Sequence, residues 1–183
     1  MEIYAAKHDL ETATSISGII TDNFTHDPVY SAYEPEVLRS YTDSNSPPRL
    51  LDALASSNSQ CFTAVHNSQI IGVVLLGFYP HGYPEDTSEN TWRIRRLHVA
   101  QACRGLGLAR RLLNEAENFV AGQDNRTIYA EATPEASGLL LKHGWTGQSI
   151  VKDVRYRDVK GAIVHVTVPR FKANKTLVKP RTD

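Results

Sequence analysis

Three groups of residues combine types and spacings that could do chemistry. The first is the loop Gln101-Ala102-Cys103-Arg104-Gly105-Leu106-Gly107, which runs straight into Leu108-Ala109. From Leu108 the apolar residues fall at helical spacing (Ala109, Leu112, Leu113, Ala116, Phe119, Val120), and Gly122 closes the run. A helix leaves its first N–H groups without internal partners, and its dipole makes that end partly positive. Two glycines let a phosphate approach those amides, and Arg104 adds a fixed charge, so the stretch reads as a diphosphate cradle. The second group is Arg93 and Arg95, which share one face of the strand-like run at 92–99 and can orient an anion by forked hydrogen bonds. The third is Glu131. Alternation in the strand-like run at 127–132 sets Tyr129, Glu131 and Thr133 opposite Ile128, Ala130 and Ala132, leaving a titratable carboxylate at the strand's end.

Which phosphate ligand the cradle suits can be narrowed. A nucleoside-triphosphate loop needs Gly-Lys-Ser/Thr at the helix start, where this chain has Gly107-Leu108-Ala109. A dinucleotide fold wants a third small residue where Arg110 stands. The fuller pattern Arg104-x-x-Gly107-x-Ala109, preceded by Leu97-His98-Val99, resembles the acyl-CoA-binding motif of the GNAT superfamily of N-acyltransferases, Arg/Gln-x-x-Gly-x-Gly/Ala. Phe24-x-x-Asp27-Pro28 is similar to a segment after the first helix in one GNAT branch. Glu131-Ala132-Thr133-Pro134, with Gly144-Trp145 ten residues later, is similar to the same branch's Glu-Ala-Thr/Ser-Pro … Leu-Tyr-x-Lys-x-Gly-Phe pattern. The specific resemblance covers 92–145.

The resemblance implies acetyl-CoA as co-substrate, no metal, and direct attack by a bound amine. Backbone groups of Leu97, His98 and Val99 would pair with the pantetheine arm. Arg104, Gly105, Leu106, Gly107, Leu108 and Ala109 would hold the pyrophosphate, and Lys142 takes the place of the pattern's lysine on the cofactor side. The amide of Val99 would stabilise the oxyanion. Arg93, Arg95 and Asp27 would face the acceptor, the arginines favouring an anionic or amphoteric amine, and Glu131 would be the base. The chain departs from the family twice. The usual proton-donating tyrosine is Leu140, and arginines stand at 93 and 95 where a glutamate or histidine is common. The leading function is therefore N-acetylation of a small-molecule primary amine. The competing ones are a protein or peptide N-acetyltransferase and a non-catalytic acyl-CoA-binding regulator.

The elements that must position these groups can be read from the rest of the chain. At 183 residues, one domain over 1–171 with a fraying tail at 172–183 is expected. Twenty basic and 20 acidic residues leave no net charge, which gives no reason to expect nucleic acid or a membrane as partner. Two distant cysteines and scattered histidines show no metal spacing, and a cytoplasmic monomer or homodimer is expected. Asp9 should cap a helix carrying Ala13, Ile16, Ile19, Ile20 and Phe24, broken at Asp27-Pro28. The proline-bearing stretch after it reads as loop with one short helix at 49–54. Runs at 61–65 and 70–78 form a hairpin, 79–90 a polar loop, 135–143 a short helix, and 150–156 with 162–168 a last hairpin. The fold expected is α/β (α+β) of GNAT type: a mixed, mostly antiparallel sheet with a central splayed parallel strand pair, flanked by helices.

Overall fold

β1 (Glu2–Ala5) leads into α1 (Leu10–His26), whose start is set by Asp9: its carboxylate accepts from the Thr12 amide at 2.8 Å. The computed structural model describes residues 1–31, 33–80, 91–124, 126–157 and 163–178. Pro28 holds Asp27 in extended geometry, which ends α1, and Asp27 then caps a 3-10 turn at Pro28–Tyr30 by accepting from the Val29 amide.

The stretch expected to be mostly loop instead holds two helices, α2 (Pro35–Ser44) and α3 (Pro47–Ala55). Both begin on proline, where the missing N–H has no helical partner to lose and the fixed φ suits the first turn. Prolines read as breakers are therefore helix starts.

β2 (Ser59–His66) and β3 (Gln69–Tyr79) are joined through Asn67 and Ser68, both at positive φ, as a two-residue hairpin requires. Then come β4 (Thr91–Val99), α4 (Leu108–Ala121), β5 (Thr127–Ala132), a 3-10 turn at Pro134–Ala136, α5 (Ser137–Lys142), β6 (Thr146–Arg157) and β7 (Ile163–Thr176). The sheet order is β1-β2-β3-β4-β5-β7-β6, with β4–β5 its parallel pair. This is the mixed, mostly antiparallel sheet expected. The tail boundary moves, however. Residues 171–176 of β7 pair with the whole of β5, so Lys172 and Lys175 lie in the sheet rather than in a frayed end. Most of the loop expected at 79–90 and the turn of the last hairpin lie outside the described residues.

Two details of register shape the centre of the sheet. The parallel pairing stops after Trp92↔Ile128, Arg93↔Tyr129 and Ile94↔Ala130, while β4 continues to Val99. On its other edge β4 has a bulge: Leu76 pairs with Ile94 and Leu75 with Arg96, leaving Arg95 as the extra residue. The bulge resets the alternation. Arg93 and Arg95 share a face, and Arg96 and His98 join it, directed toward α1 and α2.

One apolar core fills the space between the sheet and α4 with α5, including Leu76, Trp92, Leu112, Leu113, Ile128 and Trp145. A second, including Ile16, Ile20, Leu50, Leu54, Val73 and Leu75, packs α1 and α3 on the other face. Glu117 of α4 ties the first together by accepting from Trp145 Nε1 and from Lys175 Nζ, both at 2.7 Å.

β6 lies tight against β7 at Gly147. A Cβ there would press on the Lys172 carbonyl oxygen and lie 2.9 Å from Ala173 Cα, both backbone atoms that cannot swing aside. Gly147→Ala should therefore destabilise the fold by about 1–3 kcal/mol, lowering Tm in thermal denaturation. Gly138→Ala, whose Cβ meets nothing within 4 Å, is the control that should leave Tm unchanged or raised.

Candidate active site

Gly107 occupies the N-cap of α4 at φ +73°, in left-handed geometry that a glycine adopts without strain, and no side chain caps it. The first bond of the helix runs from the Arg111 amide to the Gly107 carbonyl, so the amides of Leu108, Ala109 and Arg110 have no helical partner. No acidic residue stands in that first turn. Together with the end of β4 this loop walls a cavity of about 480 Å³, to which Leu97, His98, Val99, Arg104, Gly105, Gly107, Leu108 and Ala109 contribute. The amides without helical partners, the open glycines and the adjacent guanidinium could hold a diphosphate.

Arg104 is engaged. Its Nη1 donates to Asp27 at 2.7 Å and its Nη2 to Asn23 Oδ1 at 2.9 Å. Asp27, expected on the acceptor side, therefore faces Arg104 within the smaller cavity. Asn23 also donates from Nδ2 to the Val99 carbonyl at 3.2 Å and lies 3.4 Å from His98 Nδ1, tying α1 to the end of β4. Burial, reinforced by the cations of Arg96 and Arg104, pushes the His98 imidazole down to about 3, so it stays neutral at any working pH.

A second cavity, of about 870 Å³, opens on the other side of the parted strands. Arg93, Arg95 and Glu131 are all among its lining residues. Leu106 and Lys142 are exposed and line neither cavity. Glu131 forms an ion pair with Arg93 and accepts from Lys152 Nζ at 2.8 Å. Burial works to raise its carboxyl, but the Lys152 hydrogen bond and the Arg93 charge outweigh it and hold the group below the usual carboxylate range. Arg95 is exposed, with its stem against Gly77. Arg96 donates to Asn45 at the end of α2, and Arg170 of β7 donates to the hydroxyls of Tyr33 and Tyr41.

Tyr30, Leu97, His98, Thr133, Ala136 and Leu139 line both cavities and mark their junction. Leu140 is buried nearby and offers no hydroxyl. Tyr30 does. Burial, with the charge of Asp27, pushes its phenol up to about 12. Asn23, Tyr30, Arg96, Lys152 and Arg170 carry no signal that singles them out in the sequence. Arg96 is hidden by the bulge, and Lys152 and Arg170 sit in a hairpin with no motif. The aromatic run Tyr30, Tyr33, Tyr41 is the one available hint.

Cys61 is buried and Cys103 partly so, and neither forms a disulfide. Among the described residues no cluster of His, Cys, Asp and Glu is placed to hold a metal ion. No described helix is long and apolar enough to cross a membrane.

Comparison with curated proteins by sequence finds no match. Among solved structures, an aminoglycoside 6'-N-acetyltransferase complexed with coenzyme A superposes with a TM-score of 0.63 at 16% identity, over 100% of both chains. The aminoglycoside 6'-N-acetyltransferase from Enterococcus faecium gives 0.64 at 16% identity, again over 100% of both. The PaiA N-acetyltransferase from Thermoplasma acidophilum in complex with coenzyme A gives 0.65 at 16%, over 96% of this chain and 99% of that one. At such identities the likeness is one of fold. The sequence model of the acetyltransferase (GNAT) family matches residues 26–145, from the end of α1 through the glycine loop to Trp145. The chain belongs to the GNAT family of acetyltransferases.

Proposed function

We propose that this acetyltransferase moves the acetyl group of acetyl-CoA to the primary amine of a small molecule, by direct attack with both substrates bound. The junction of the two cavities across the parted strands carries this reading. The smaller one suits the pyrophosphate and pantetheine of acetyl-CoA, and the larger one the acceptor. The amine nitrogen attacks the thioester carbonyl. A C–N bond forms, the C–S bond breaks, CoA leaves as thiolate, and the amine proton passes to solvent. The Val99 amide is assigned to the oxyanion, and holding the two substrates in register supplies much of the acceleration.

The acceptor cavity is walled by Phe24, Tyr30, Tyr41 and Asn45 from the α1–α2 region, which favours a small acceptor over a peptide laid in an open groove. Two structural relatives are named for aminoglycosides, which carry several ammonium groups. The described lining here has five cations (Arg93, Arg95, Arg96, Lys152, Arg170) against two carboxylates, Glu131 and Asp153. That balance opposes a polycationic acceptor. Thiol release from acetyl-CoA across a panel of amines tests the reading. Heat of CoA binding with no amine-dependent thiol would leave only a binder.

Arg104 would exchange Asp27 for the pyrophosphate. Arg104→Ala should weaken CoA binding about 10–100-fold by calorimetry, the worth of a charged hydrogen bond, without loss of fold.

Glu131, bracketed by Arg93 and Lys152, is assigned a positioning role in place of the base expected from sequence. A carboxyl with a lowered pKa is ionised throughout the neutral range, so its titration cannot produce an acidic limb there. Glu131→Gln should lower kcat/KM about tenfold, ~1.4 kcal/mol, yet leave the limb's midpoint in place. A limb that moved would restore Glu131 as base.

Tyr30 is assigned the proton for the departing thiolate, since Leu140 has none to give. Tyr30→Phe should cut kcat about 10²-fold with the KM for acetyl-CoA unchanged. A variant as fast as wild type would leave protonation to water.

A further inference from the structure

Arg170 projects from β7 one residue before Phe171, the last partner of β5, and so stands just past the point where β5 ends. It lines the acceptor cavity. Its surroundings are unusual for a half-buried guanidinium. Nη1 donates to the Tyr33 hydroxyl and to the Pro169 carbonyl, and Nη2 donates to the Tyr41 hydroxyl. Among the described residues no carboxylate pairs with it. The guanidinium carbon lies 5.5 Å from the Tyr33 ring centroid and 5.8 Å from that of Tyr41. Burial raises the phenol of Tyr41 above its ordinary value, so that ring stays neutral. The groups that hold Arg170 are two hydroxyls and a carbonyl, and none of them is a carboxylate that would compensate its charge.

The donor count adds direction. A guanidinium carries five N–H groups, and three are used among the described residues. The Nε–H and one Nη2–H remain, and these two nitrogens share the edge that receives a carboxylate side-on. Lys152 stands two residues along β6 from Ile150, the strand partner of Arg170, and adds positive potential on the same side. The elements around the cavity hold Arg170 with two hydroxyls while Glu131 is bracketed by Arg93 and Lys152. A partly desolvated cation that lines the cavity and keeps two donors in reserve gains most from an anion that arrives with the substrate.

We infer that Arg170, held by Tyr33 and Tyr41, forms a carboxylate-binding subsite, and that the acceptor is a primary amine carrying a carboxylate. The inference rests on the proposed transferase reading and names its acceptor class. The subsite anchors the acid end against β7, leaving the amine to reach toward the junction at Leu97 and Thr133. Arg170 is then a specificity residue acting on acceptor binding and not on the chemical step.

The test compares amino acids and ω-amino acids of graded length with their carboxamides, similar in size and without the negative charge, with rates referred to the free-amine concentration of each. Wild-type enzyme should show kcat/KM at least about tenfold higher for the acids, the discrimination of one charge-assisted hydrogen bond or more. Arg170→Gln should abolish the preference through the acceptor's KM, with kcat and CoA binding retained. Arg170→Lys, which keeps charge but loses the fork, should fall between. Wild-type enzyme that acetylates acids and amides equally overturns the subsite and leaves the transferase standing, whether or not the variants fold. Preference for the acid that survives intact in folded Arg170→Gln overturns the assignment to Arg170. Absence of any amine-dependent thiol, with CoA still binding, removes the transferase reading and this subsite with it.

Discussion

Everything in this site depends on two parallel strands that pair over three residues and then part. Buried backbone N–H and C=O groups must find partners, so a strand edge that loses its neighbour needs something else to occupy it. On β4 that edge runs from Arg95 to Val99, and part of the need is met from an unexpected direction. Asn23 of α1 reaches across to the Val99 carbonyl and, through its own carbonyl oxygen, receives Arg104. The remaining gap is what a ligand would fill. The connection from Val99 to Leu108 is short, so the helix N-terminus must sit beside the same gap. Fold and anion site are one constraint.

The other side of the gap is held by charge. Glu131 lies between Arg93 and Lys152, linking β5 to β4 and β6 where backbone pairing between β4 and β5 has ended. Their side chains are only 11%, 14% and 18% exposed for Arg93, Glu131 and Lys152. Taking such groups from water costs several kcal/mol each, and their mutual attraction roughly offsets it. The triad therefore adds little net stability. It does make each member costly to move, because displacing one strands a partly buried charge. A carboxylate fixed in this way is a better scaffold than base.

Periodicity made much of this legible. The helix from Leu108 and the strand at 127–132 begin where the residue pattern said they would, because each has a strong apolar stripe and a glycine or proline boundary. Three features escaped, each for a physical reason. Proline at Pro35 and Pro47 both starts helices and breaks them, and only the tertiary setting decides which. Residues 171–174 alternate buried Phe171 and Ala173 with outward Lys172 and Asn174, a strand pattern obscured by the charges. The bulge at Arg95 shifts side-chain direction by one residue, so strict alternation along the strand gives no sign that Arg96 joins the face of Arg93 and Arg95. Asp27 could be placed near the site, but its pairing with Arg104 joins residues 77 apart in sequence and has no local signature.

The substitution of leucine at 140 raises the question of whether a phenol as weakly acidic as Tyr30 can protonate a thiolate at all. At about 12 it stands above its ordinary 10.0, which on its own opposes donation. The leading cause of that shift is burial, and burial acts on any anion at the same place. Cys61 supplies the internal comparison: shut into the core, its thiol rises from 9.0 to about 12 through desolvation alone. A CoA thiolate expelled at the junction of the two cavities would share the environment of Tyr30, and its affinity for a proton would climb in step. Burial then weighs on donor and leaving group alike, so the gap between phenol and thiol stays near its solution size instead of widening against the transfer.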